Sequence, residues 1–136
     1  MASNQKQDLK LNRERRILSR KDFLRIQEKG TKQKSKNLLI AYNLVEGAED
    51  APFGDSRLGV TVSTKISKKS VLRNKVKRRV KELFRYSRRY FIQHGEIVVI
   101  ARDGILNLSY KQLRSEFIYL LIRGGFIKPR AEKRED

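Results

Sequence analysis

Residues 57–101 read RLGVTVSTKISKKSVLRNKVKRRVKELFRYSRRYFIQHGEIVVIA, and three patterns follow one another within them. Arg57 to Thr64 alternates, with Leu58, Val60 and Val62 on one face, as a half-buried strand does. From about Ser70 to Arg89 the period becomes helical: Val76, Val80, Leu83 and Phe84 fall at i, i+4, i+7 and i+8 and make one apolar stripe. Glu96 to Ala101 is a nearly continuous apolar run, expected of a strand covered on both sides. A strand following a helical crossover is expected to lie parallel to a strand that precedes it. The pattern leaves the hand of that crossover open.

Working outward, Ser19 with Asp22 three residues on reads as a capping box, and Leu18 is placed to staple against Phe23. Gly30 is a suitable stop, so a first helix is predicted over 19–29. Asn37 to Val45 is a strand-length apolar run, and residues 31–36 give a weak signal for a further short strand. The connection from Glu46 to Ser56 carries Gly47, Pro52, Gly54 and four acids, and the two strands it joins are expected to pair antiparallel. Downstream, Ser109 with Gln112 is a second capping signal, and Leu113, Phe117, Leu120 and Leu121 stripe a last helix that Gly124 and Gly125 end. The order helix, strand, strand, helix, strand, helix predicts an α/β sandwich with helices packed on a small mixed sheet. Residues 1–12 read as a flexible N-terminus, 13–127 as a single domain and 128–136 as a charged tail.

Charge narrows the function. The chain has 33 basic and 15 acidic residues for a formal charge of +18, and the 26 residues from Lys65 to Tyr90 hold twelve basic residues against one acid, Glu82. The second helix thus buries one stripe and is basic around most of the rest. A solvated face is the plain alternative. A cationic surface in fixed helical register suits a polyanion with repeated phosphates better. With 38% hydrophobic residues, 136 residues bury one core. The absence of Cys excludes a disulfide framework and thiolate metal sites. No apolar run approaches the ~20 residues that span a membrane, and the first residues lack the apolar segment of a signal peptide. A cytoplasmic protein is expected.

Catalytic groups are scarce. His94 is the only histidine and reads as part of a turn. Glu49, Asp50 and Asp55 lie in the connection, and Asp103 precedes a turn glycine, so no set of carboxylates converges as a two-metal nuclease needs. Gly54 and Gly59 are isolated, which excludes a phosphate-binding glycine loop. The polypeptide alone does not read as an enzyme.

Arg57-Leu58-Gly59-Val60-Thr61-Val62-Ser63-Thr64-Lys65, followed by Arg73-Asn74-Lys75-Val76-Lys77-Arg78, resembles the signature of the bacterial ribonuclease P protein subunit. That family pairs a strand of the form R-x-G-x-x-V with a Lys-containing turn and a helix opening Arg-Asn-Arg. Asn12 to Leu18 before Lys21-Asp22-Phe23 is similar to the family's basic approach to helix one, and Glu96 to Arg102 to its later strand. The resemblance extends from about Leu9 to Ile127. It implies a partner of a catalytic RNA in a ribonucleoprotein endonuclease that cleaves the 5′ leader from precursor tRNA. It also implies hydrolysis by the RNA with Mg2+ held mainly by RNA and substrate, a leader cleft between helix one and the sheet, and a left-handed βαβ crossover.

Transferred position by position, Arg73 and Asn74 match the opening Arg-Asn, and Lys75 replaces the second Arg, keeping charge but losing the bidentate fork. Lys77 and Arg78 match basic positions associated with the catalytic RNA, and Arg79 and Lys81 continue the tract. Arg16, Phe23, Tyr42 and Lys65 are the implied leader-binding residues; Phe23 matches an aromatic of helix one, and for Tyr42 the neighbouring Ala41 competes for the alignment. Four residues after Phe23 the family often has a second Phe, where this chain has Gln27. The turn from Lys65 to Ser70 is one residue longer than usual and lacks the family's glycine. The expected partners are the catalytic RNA and precursor tRNA, with no membrane and no obligate protein partner. A non-catalytic RNA-binding or ribosomal protein shares the charge and size and stands as the alternative.

If the basic helix makes on the order of six phosphate contacts, log affinity for its RNA should fall with log salt at a slope near −4 to −5. Filter binding across a salt series measures it, and a slope near zero would sink the electrostatic account.

Overall fold

The computed structural model describes residues 18–44 and 56–129. Arg16, most of the acidic connection, the 1–12 segment and most of the charged tail lie outside the described residues. The elements are α1 (Arg20–Lys29), β1 (Thr31–Lys34), β2 (Leu38–Leu44), β3 (Arg57–Thr61), α2 (Ser70–Ser87), β4 (Gly95–Ala101) and α3 (Tyr110–Arg123), with short 3-10 turns at Arg88–Tyr90 and Ile105–Asn107.

Local signals explain the helix ends. Ser19 Oγ accepts from the Asp22 N–H at 3.1 Å and caps α1, while the Asp22 carboxylate turns to Arg25 instead of closing the box. Gly30 ends α1 where the chain presses on β2: a Cβ there would stand 2.6 Å from Ile26 O and 2.9 Å from Tyr42 O. At α3 both capping-box bonds form, Gln112 N–H to Ser109 Oγ at 3.1 Å and Ser109 N–H to Gln112 Oε1 at 2.8 Å. The expected end of α2 near Arg89 falls where the last turn tightens to 3-10 geometry at Arg88–Tyr90.

The sheet order is β1-β2-β4-β3, with β1 and β2 antiparallel, β2 and β4 antiparallel, and β3 and β4 parallel. The parallel pair follows the expectation. The antiparallel pairing of β2 with β3 does not, because β4 sits between them. β4 is buried along nearly its whole length, so the centre of the sheet is where both its faces and both its edges are satisfied. The weak signal at 31–36 is a real edge strand, β1, whose residues TKQK carry no apolar alternation and whose order comes from pairing with β2.

The hand of the β3–α2–β4 crossover follows from stereochemistry. In a strand of L-residues running upward, a residue facing the viewer points its N–H and C=O to the right. Leu58 faces α2 within the main core, and its carbonyl accepts from Leu18 N–H at 3.3 Å, away from β4. Seen from α2, β4 therefore lies to the left of β3. The crossover is left-handed, against the right-handed form found in about 98% of such units, and agrees with the resemblance.

Two clusters hold the domain together. The larger lies between the sheet and α2 and α3, with Phe84, Phe117, Leu120, Leu121 and Phe126 fully buried. The smaller joins Leu18 and Ile26 to Ala41 and Val98, with Phe23 and Ile100 packed on it, so Leu18 and Phe23 belong to one apolar cluster at the start of α1. His94 is buried rather than part of an open turn. Its Nδ1 stands 3.1 Å from Ser56 Oγ, which also accepts from Gly95 N–H at 3.1 Å, and this joins the starts of β3 and β4.

Phe84→Ala should cost about 3–5 kcal/mol through the cavity it leaves, whereas Val71→Ala, at a position 75% exposed, should change stability by less than about 0.5 kcal/mol. Denaturant midpoints of the two variants test the assignment of the core face.

Candidate nucleic-acid interface

Strand alternation sends Ala41, Asn43, Gly59, Thr61, Glu96, Val98 and Ile100 to the face opposite α2, where α1 lies. The register aligns Ala41 with Val98, Gly59 with Val98, and Thr61 with Ile100. Ile26 covers Ala41 and Val98. The half-buried Phe23 ring lies over Gly59, where an added Cβ would come within 2.7 Å of Phe23 Cδ2. Gly59 is thus needed for the close approach of the ring to the strand. Leu39, Thr61 and Ile100, toward the other end of this face, are only partly buried. Together with Phe23 they leave a partly covered strip of this face, apolar apart from the Thr61 hydroxyl, that we call the trough.

The end of this face near Glu96 is closed by charge. Arg25 Nη2 bonds Glu96 Oε1 at 3.1 Å and Asp22 Oδ1 at 3.2 Å, and Arg57 pairs with the other Glu96 oxygen and stands 3.8 Å from Asp22 Oδ2. One helix residue and one strand residue therefore share a nearly buried carboxylate, which sets how α1 lies on β3 and β4. The hydrogen bond from Arg25 holds the Asp22 carboxyl below its ordinary value, and the bond to Glu96, then that to Asp22, raises the Arg25 guanidinium.

Around α2 basic residues occupy most of the surface outside the stripe, interspersed with Val71, Asn74, Glu82 and Tyr86. Arg73, Lys77 and Lys81 recur at i, i+4 and i+8 along one flank of it, Lys75 and Arg79 along the other, and Asn74 and Arg78 point outward. Asn74, Lys75, Arg78 and Lys81 are exposed, while Arg73, Lys77 and Arg79 are partly covered. Arg73 Nη1 also donates to Ser67 O at 2.8 Å and ties the helix to the turn before it. The first turn of α2 contains no acid and no side-chain cap, so its orphan N–H groups add positive potential to the lysines and arginines. Lys65 is exposed in the turn that carries the chain from β3 to α2. It therefore stands with the start of α2 at the same end of the sheet as Thr61 and Ile100.

Phe23 thus lies on the α1 face of the sheet and the α2 residues on the opposite face, with Lys65 in the turn at the end of β3 that connects the two. Tyr42 does not join Phe23. It is 6% exposed in the main core, edge-on to Phe126 at 5.3 Å between ring centroids, with Gln33 Nε2 3.4 Å from its hydroxyl. The expectation that Tyr42 shares the trough is corrected: the register of β2 turns Ala41 toward α1, and a side chain one residue on must face the other way. Gln27 is exposed and offers no second ring beside Phe23. Arg25, Arg57 and Glu96 were missed by sequence reasoning because their pairing crosses three elements. A glycine inside an alternating strand was the one available signal for the role of Gly59. The carboxylates of this face are committed to guanidinium groups, and among the described residues no group of three or more His, Cys, Asp or Glu could hold a metal ion. These residues do not fit a metal carried by the protein.

A basic helix on one face of a small mixed sheet, an apolar trough on the other and a left-handed crossover between β3 and β4 define a compact α/β domain suited to a phosphate-rich polymer. More narrowly, the chain belongs to the ribonuclease P protein family: the family described as Ribonuclease P matches residues 11–124. The ribonuclease P protein component of Clostridium botulinum (strain 657 / Type Ba4) is 36% identical over 114 residues, covering 83% of this chain and 96% of the relative. The ribonuclease P protein of Staphylococcus aureus superimposes with a TM-score of 0.69 at 28% identity, over 82% of this chain and 97% of that one. For the Thermotoga maritima protein the TM-score is 0.66 at 28% identity, over 79% and 96%. Family membership makes the chain a tRNA-processing subunit of ribonuclease P.

The depressed Asp22 carboxyl has a pH consequence. Its pairing contributes stability in full above the ordinary carboxylate value of about 3.9, and that contribution is lost as pH falls through the lowered folded value. Melting temperatures should therefore drop more steeply below about pH 4 for the parent than for Asp22→Asn, which lacks the titration. Parallel curves for the two proteins would show that the network does not hold α1.

Proposed function

We propose that α2 docks on the catalytic RNA of ribonuclease P while the trough between α1 and the sheet holds the 5′ leader of precursor tRNA. The observation that carries this reading is the half-buried Phe23 ring seated on Gly59, at the edge of a trough that opens toward Lys65 and the start of the basic helix. Aromatic rings beside a cationic track suit single strands, since every base has a face to stack and every linkage a charge. One side of the domain would then bind by stacking and the other by phosphate contact. Only the precursor carries a leader, so the trough would favour substrate over product.

In this reading hydrolysis belongs to the RNA, and Mg2+ would be held by RNA and substrate, where a bound divalent cation would supply the charge that polarises water. The chain's residues position the leader and neutralise phosphates, and none acts as nucleophile. Catalysis by the RNA accords with family membership. The reaction would take place in the cytoplasm; among the described residues no helix is long and apolar enough to cross a membrane. Reconstitution with a bacterial ribonuclease P RNA tests the whole reading. Stimulated leader removal at low magnesium supports it, binding without stimulation favours a general RNA-binding protein, and cleavage without added RNA would overturn the non-catalytic role.

Single substitutions separate the two surfaces. Arg73→Ala and Arg78→Ala should weaken binding to the catalytic RNA and each lower the magnitude of the salt slope by about 1. Phe23→Ala should instead weaken precursor tRNA binding by the holoenzyme by ~1–3 kcal/mol, with mature tRNA little affected. Gly59→Val, whose added atoms displace the ring, should act in the same direction as Phe23→Ala. Melting curves of the free proteins accompany the assay, and a folded Phe23→Ala protein that binds precursor like the parent makes Phe23 a core residue only.

A further inference from the structure

The far end of α2 carries a feature that neither the docking surface nor the leader trough uses. Tyr86 and Tyr90 are 54% and 53% exposed, with ring centroids 5.9 Å apart and planes inclined at 57°. The Arg89 guanidinium lies 5.3 Å from the Tyr86 ring centroid, within cation–π reach. The Tyr90 phenol is raised, chiefly by hydrogen bonding with Tyr86. These aromatic groups are therefore held relative to one another although they face solvent. Neither ring belongs to the apolar cores, so packing does not account for their presence.

We infer that Tyr86, Arg89 and Tyr90 form a second RNA contact, a stacking site for an unpaired nucleobase of the catalytic RNA. The inference rests on the RNA-docking reading of α2 given above. Tyr86 stands seven residues after Arg79 and eleven after Lys75, so the three lie along one row of the helix surface. At 1.5 Å per residue that row is about 16 Å long, basic at its start and aromatic at its end, with the exposed Glu82 between Arg79 and Tyr86. An RNA strand whose phosphates follow Lys75 and Arg79 arrives at Tyr86 with its base available to stack. Charge selects RNA over an apolar protein partner: the exposed Arg85 and Arg89 flank the rings in sequence, and Glu82 is the single acid on this helix. Tyrosine and arginine faces accept any base, so the site adds affinity and position without reading sequence.

The test uses full-length protein and a bacterial ribonuclease P RNA. Tyr86→Ala with Tyr90→Ala should weaken RNA binding on the order of tenfold with the salt slope unchanged, because stacking releases no counterions. Tyr86→Phe with Tyr90→Phe keeps both ring faces and should bind within about twofold of the parent. Crosslinking of the parent protein to RNA substituted with 5-iodouridine needs no variant and should place adducts on Tyr86 or Tyr90. Parental affinity of the double Ala variant, or adducts confined to the leader trough and the start of α2, overturns the site. Loss of self-association in sedimentation with RNA affinity unchanged overturns it in favour of a second copy of this chain. Failure of the parent itself to bind the RNA is a different result, which removes the docking reading and this site with it.

Discussion

β4 is hydrogen-bonded along both edges and buried along almost its whole length, and every other element takes its place from it. A seven-residue strand reading GEIVVIA has no polar face to leave in water, so both sides must be covered. α2 and α3 cover one side and α1 the other. The antiparallel partner β2 and the parallel partner β3 satisfy its peptide groups. Inserting β4 between β2 and β3 separates two strands that are neighbours in sequence, and with α2 on the face that Leu58 shares, the crossover runs left-handed. That arrangement carries the basic helix from the end of β3, beside the open part of the trough.

The two faces of β4 are covered differently, and the difference is functional. On the α2 side, large aromatic and aliphatic side chains close a continuous core. On the α1 side only a small cluster forms, and Glu96 is drawn into ion pairs with Arg25 and Arg57 instead of apolar contact. A nearly buried carboxylate between two guanidinium groups adds modestly to stability but restricts orientation. It fixes α1 at one end of the face and leaves Leu39, Thr61 and Ile100 less covered at the other. A more apolar Glu96 position would allow α1 to settle elsewhere.

Charge works against the free protein. A formal charge of +18 repels itself in the compact state, and α2 concentrates that repulsion on one helix. Burial of Val76, Val80, Leu83 and Phe84 is what holds the helix in place despite it. A polyanion that neutralises the surface removes the repulsion and binds the folded state, so docking and stability are linked. The same helix therefore contributes to core packing through one stripe and to recognition through the remainder.

Much of this was legible from residue order. Capping at Ser19 and Ser109, the stripe of α2, the strand alternation at 57–64 and the apolar run at 96–101 are local patterns, and local steric and hydrogen-bonding rules suffice to read them. The excess of basic residues and the motif from Arg57 to Arg78 pointed to RNA and to the family. Facing was not legible at Ala41 and Tyr42, because both are apolar enough for either side and a shift of one residue reverses the strand; only the pairing of β2 with β4 decided it. The short strand β1 has no apolar pattern of its own and exists because β2 offers an edge. Sequence alone determined which segments are helix, which central strands must be buried, and that the surface is cationic. Tertiary structure alone decided that β4 parts β2 from β3, that the crossover is left-handed, and that Glu96 gathers Arg25 and Arg57, because each depends on groups distant in the chain competing for the same edge, face or charge.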